Sequence, residues 1–231
     1  AVREFVSCAR TGPRVHSALL VVRVAAFVAL FLVVAPSVAT ARRVSDAAMF
    51  YWASDNLAPT DATSPAWAWD DISATGTALT AISCDDCVSP AVALGFTFRF
   101  YGADYTQIYA GSNGFITFST GAGSGCCGGA PIPSPGGNPT NFVAPYWTDL
   151  IVGAVPVRYQ TLGVAPSRRF VITYERWDCY GARGSLRTFQ AAFFETTNTI
   201  EVRYQTNPAC ASYTATAGIS NSGNSDGIQW A

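Results

Sequence analysis

Gly95-Phe96-Thr97-Phe98-Arg99-Phe100-Tyr101-Gly102 places an aromatic ring at every second position, and Gly111-Ser112-Asn113-Gly114 then leads into Phe115-Ile116-Thr117-Phe118. Successive side chains of an extended chain project to opposite faces, so Phe96, Phe98 and Phe100 share one face while Thr97 and Arg99 take the other. Asn-Gly between apolar runs signals a tight turn, because both residues accept a positive φ. The alternation recurs further along. Val155, Val157 and Tyr159 oppose Pro156, Arg158 and Gln160; Phe170, Ile172 and Tyr174 oppose Val171, Thr173 and Glu175; Ile200, Val202 and Tyr204 oppose Glu201, Arg203 and Gln205. Short strands punctuated by turns, with no sustained helical period, predict an all-β fold: an antiparallel, jelly-roll-like β-sandwich.

Strands are expected over residues 77–83, 92–101, 105–109, 114–119, 142–147, 155–160, 169–177, 188–194, 200–205, 213–220 and 228–230. Residues 121–138 are too rich in Gly and Pro for a regular element and form the one long loop. The start of the chain reads differently. Arg3, Arg10, Arg14 and Arg23 precede an unbroken apolar run from Val24 to Ala35, and Ala39-Thr40-Ala41 supplies small residues for cleavage. That is the layout of a helical secretory signal, and the run is short for a transmembrane anchor. The expected organisation is a signal over residues 1–41, an extended leader over 42–66, and the sandwich over 67–231. The protein is expected to be secreted or at the cell surface, meeting a membrane only through an uncleaved signal.

Cleavage after Ala41 leaves ten arginines against fourteen acids, a net charge of −4, and there is no lysine anywhere. Scattered arginines on a mildly acidic chain argue against nucleic acid, which needs a concentrated basic face. Six cysteines follow the signal: Cys84, Cys87, Cys126, Cys127, Cys179 and Cys210. An even number behind an export signal reads as three disulfides. The strands before Cys179 and before Cys210 flank one intervening strand and so run the same way, which brings these two cysteines to one end of the sheet. The pairing among Cys84, Cys87, Cys126 and Cys127 stays open. Cys84-Asp85-Asp86-Cys87 has redox spacing, but its two carboxylates disfavour a thiolate, so a structural disulfide is expected.

The run from Gly95 to Gly102, then Ser112 to Phe118, Val143-Ala144-Pro145-Tyr146-Trp147-Thr148-Asp149-Leu150, Thr188-Phe189-Gln190-Ala191 and Ala217-Gly218-Ile219 resembles the nidogen-like and plexin-domain-containing family of extracellular domains. The resemblance covers roughly residues 69–230 and is nearest to the bacterial branch of exported surface proteins. It implies a β-sandwich used for extracellular interaction, with no common activity. Thr148 stands where family members often carry the first of two acids, which weakens any inherited ion site.

The only histidine, His16, lies in the export signal, so the mature chain has no Ser-His-Asp triad, no Cys-His pair and no imidazole metal site. Without lysine there is no Schiff-base chemistry. Two carboxylates alone can cleave glycosides, and Asp149, Asp178 and Glu175 are the candidates for that work. Gly123 to Gly128 matches a dinucleotide fingerprint by letter, but prolines follow where a helix is required. No cofactor is expected. Two metal readings stand beside that expectation: zinc on Cys84, Cys87, Cys126 and Cys127 if these stay reduced, and calcium on Asn221, Asn224 and Asp226. Recognition residues are expected in the loop after β-strand 169–177, where Trp177, Tyr180 and Arg183 are of the types favoured in binding hot spots. The function expected is a binding or adhesion module for an extracellular protein or glycan. The alternatives are a secreted hydrolase using carboxylates, or an accessory domain of one, and a structural surface or matrix subunit.

Overall fold

The structure, a computed structural model, describes residues 2–6, 43–48, 51–56, 65–211 and 213–231. The apolar run and cleavage position of the expected signal lie outside them. Among the described residues no helix is long and apolar enough to cross a membrane.

In chain order the strands are β1 (Val2–Val6), β2 (Arg43–Ser45), β3 (Tyr51–Ser54), β4 (Thr77–Ala78), β5 (Val92–Phe100), β6 (Ala103–Gly111), β7 (Phe115–Thr117) and β8 (Phe142–Trp147). There follow β9 (Leu150–Ile151), β10 (Arg158–Leu162), β11 (Arg169–Cys179), β12 (Ala182–Phe194), β13 (Ile200–Thr206), β14 (Thr216–Ser220) and β15 (Gly227–Gln229). The larger sheet has the order β2-β3-β1-β13-β12-β11-β10-β4, with β9 also pairing β11; the smaller runs β15-β14-β8-β7-β6-β5. Pairing is antiparallel except at β1, which runs parallel to both β3 and β13. The expected all-β antiparallel sandwich is the fold observed.

β5 shows why these residues make a strand. Its nine positions alternate buried and exposed without a break, with Val92, Leu94, Phe96, Phe98 and Phe100 turned inward. The two inner faces interlock through rings: Phe98 meets Phe193 edge-on at 5.4 Å, and Tyr146 lies 5.7 Å from Phe189. Tyr174 spans the layers, its hydroxyl donating to the Gly111 carbonyl at 2.8 Å. Burial pushes that phenol far above its ordinary pKa, so it stays a neutral donor.

Several expected boundaries move: β11 runs on to Cys179 and β12 begins at Ala182, so the loop expected after residue 177 is a tight hairpin, and β14 begins at Thr216. Residues 77–83 divide into β4 and a 3-10 turn, Thr80–Ile82. Only Thr77 and Ala78 pair with β10; Ser83 N then closes onto Thr80 O, driving Ile82 into the core. The strand expected at 155–160 begins at Arg158, the first residue with a partner on β11, while the Val155 carbonyl accepts from the Trp177 indole. The leader also contributes β2 and β3, which pair with each other.

β5 ends the smaller sheet, and side chains outside that sheet occupy its backbone. Thr161 Oγ1 donates to Leu94 O at 2.8 Å and Arg168 Nη1 to Gly95 O at 2.6 Å. Arg99 N donates to Asn198 Oδ1 at 2.7 Å, and the Tyr51 hydroxyl donates to Arg99 O.

Candidate functional site

The loops that carry the cysteines converge around Asn113, a buried residue in the β6–β7 turn. Its Nδ2 donates to Asp86 Oδ1 at 2.8 Å and to Ser124 O at 3.1 Å, and its Oδ1 accepts from Leu150 N at 2.9 Å. The next residue, Gly114, has φ +76°, and a Cβ there would collide with the Tyr146 carbonyl. Trp147 Nε1 donates to Gly125 O, Gly129 N to Thr214 O, and Tyr180 N to Asp149 O. Three disulfides fasten this end: Cys84–Cys87, Cys126–Cys127 and Cys179–Cys210. The last joins the ends of β11 and the segment after β13, two strands that both flank β12. Arg187 reinforces it. Fully buried, it donates to Ala209 O at 2.8 Å and to Ser185 O, and lies 4.0 Å from Asp178.

Asp149 is 3% exposed at this end. Burial raises its pKa above the ordinary carboxylate value, and the charges of Asp86 and Asp85 push the same way; a hydrogen bond from Tyr213 opposes them. Ligand atoms of Asp86, Cys126, Cys127 and Asp149 all lie within 4.8 Å of one another. With the two sulfurs bonded to each other, the set offers two carboxylates and no thiolate, whereas a closed zinc site wants thiolates. The four cysteines considered for zinc are therefore two local disulfides in this structure. At the residues considered for calcium, Asn221 Oδ1 accepts from Ser225 N and Asp226 N, and the Asp226 carboxylate accepts from Ala47 N, Ala48 N and Gly227 N. Asn224 uses its NH2 group to clasp the long loop at Gly137 O and Pro139 O. These groups build a turn.

The expected recognition residues separate. Trp177 is 0% exposed, donates to Val155 O and packs edge-on against Tyr174 at 5.4 Å, so it belongs to the core. Tyr180 is 47% exposed, in the tight turn between β11 and β12, and Arg183 is exposed three residues on. The carboxylates considered for glycoside cleavage, Asp149 among them, sit in different settings. Asp178 is locked in the β11–β12 hairpin by Cys179 N and Gly184 N. Glu175 lies on the outer face of the larger sheet, lining a groove of about 200 Å³ with Trp69, Asp71, Arg158, Thr188 and Gln205.

One wall of that groove is the segment Trp69–Ser73, which sequence reasoning placed at the start of the domain and not across the sheet. Ile72 plugs an apolar hole with Val171 and Ala192. Asp70 accepts from Arg169 Nε at 2.8 Å and Arg203 Nη1 at 2.7 Å, and these cations lower its pKa, Arg169 foremost. Gln190 Nε2 donates to Asp70 O and to Thr173 Oγ1. A signal for this cover was present: Val171, Ala192, Leu162 and Phe194 make an apolar patch on strand faces that elsewhere carry Thr173, Glu175, Thr188 and Gln190.

A family model described as NIDO related matches residues 60–230. Searches of curated proteins and of solved structures return no match.

Proposed function

Because the chain belongs to the NIDO-related family, we propose that it is an extracellular binding module, without turnover, that recognises a surface partner through its disulfide-fastened end. Within the family we assign it to the branch of exported bacterial surface proteins, on the motifs running from Gly95 to Ile219. The observation that carries the reading is the convergence of three disulfides and the Asn113 network on one end, beneath an exposed Tyr180. Loops held rigid on a sandwich lose little conformational entropy on binding, and a projecting tyrosine beside an arginine is a common energetic anchor. Disulfides of this number suit an oxidising, external compartment.

The test is binding of the labelled, oxidised chain to intact cells of the source organism. The Y180A/R183A double variant, folded by circular dichroism, should bind at least about tenfold more weakly. Equal binding by the variant, or release of product from glycan or ester substrates, would overturn the proposal.

A further inference from the structure

The groove over the outer face of the larger sheet has a composition of its own. Its wall, Trp69–Ser73, is mounted rigidly: Ile72 fills the hole over Val171 and Ala192, and Asp70 sits in the fork of Arg169 and Arg203. The residues on either side of Asp70, Trp69 and Asp71, line the groove. Its floor is drawn from neighbouring strands, with Arg158 on β10, Glu175 on β11, Thr188 on β12 and Gln205 on β13. Among the described residues the side chains of Glu175 and Gln205 bond to nothing, and Arg158 spends one nitrogen on Gly76 O. A second indole, Trp67, stands 52% exposed two residues before Trp69.

We propose that this groove is a binding site for a neutral saccharide, one pyranose of a longer chain stacking on Trp69 with its hydroxyls shared among Glu175, Gln205 and Arg158. The inference goes beyond the proposed recognition through Tyr180, because it uses the outer sheet face and not the fastened loop end. Three arguments support the ligand class. An indole face is apolar while the floor is made of planar amide, carboxylate and guanidinium groups, which together accept and donate in a ring, as a sugar's apolar face and hydroxyl rim require. The charges are mixed, Arg158 against Asp71 and Glu175, which suits a neutral ligand better than an anionic one. Lastly, the groove lies on a sheet face and offers no free strand edge, so an extended peptide finds no main-chain partners there. Its volume of about 200 Å³ is below the roughly 300–1,000 Å³ of sites that engulf a whole small molecule, and a groove of that size takes one ring.

The test is isothermal titration of the oxidised full chain with four neutral hexasaccharides: cello-, xylo-, manno- and N-acetylchito-hexaose. At least one is expected to bind. W69A should weaken that binding at least about tenfold, and W69F and E175Q should stay within about threefold, because stacking and hydrogen bonding survive while charge is not required. Y180A/R183A should bind sugar as the parent does, and a melting curve checks that W69A is folded. Absence of binding to all four sugars overturns the site, as does a folded W69A that binds normally. So does a preference for an oligo-arginine peptide that E175Q abolishes. Absence of sugar binding by the parent chain, together with Tyr180-dependent attachment to cells, removes only this site and leaves the module. Sugar cleavage would remove the module reading instead.

Discussion

Asn113 shows how one residue carries two layers of information. The pair Asn113-Gly114 is legible as a turn because the φ preference of each residue is local. The bonds from Asn113 to Asp86, Ser124 and Leu150 are not legible, since they join segments far apart in the chain. Asp149 and Asp70 give opposed pH signatures. Burial and the charges of Asp86 and Asp85 raise Asp149 above 3.8, so the folded chain keeps this proton to higher pH than the unfolded chain does. The stability linked to Asp149 is therefore full below that value and is lost as the pH rises through the folded pKa. Asp70 is lowered by Arg169 and Arg203; its contribution is present above 3.8 and is lost as the pH falls through the folded pKa. Melting curves should show D149N gaining on the parent as the pH rises above about 4, and D70N losing ground as the pH rises from acid toward about 4. Parallel profiles for the two variants would contradict both assignments.

At the scale of elements, period-two patterning was enough to place β5, β11 and β13 within a residue or two. It misplaced residues 77–83, where the buried Leu79 and Ile82 stand three apart and only two residues have a strand to pair with. The cover formed by Trp69–Ser73 escaped for another reason. An irregular segment has no period, and its position is fixed by Asp70 and Ile72 meeting residues about a hundred positions away. The direction of strands did reveal which ends meet, and the structure bonds Cys179 to Cys210. Their separation is 31 residues; in the chain-entropy account such a cross-link contributes about 3–4 kcal/mol. The C179S/C210S variant should lose that amount in urea unfolding. A loss well under 1 kcal/mol would mean that Arg187 alone holds the segment at Ala209.

For the whole molecule, the layered architecture was readable from composition and alternation, because both follow from which faces exclude water. How the sandwich guards its borders was not readable, since that depends on side chains from outside the smaller sheet reaching β5. Thr161, Arg168, Asn198 and Tyr51 occupy β5 backbone groups that would otherwise recruit a further strand. The oxidised chain should sediment as a monomer across a wide concentration range, and T161A/N198A should associate as concentration rises. A monomeric double variant would show that these latches do not control assembly. The distribution of indoles has a practical consequence of its own. Trp147, Trp177 and Trp230 emit from the dry interior, whereas Trp67 stands half in water. Acrylamide should quench the outer population and leave the inner one bright. The protein thus carries an unlabelled optical gauge of whatever settles against Trp67 and Trp69.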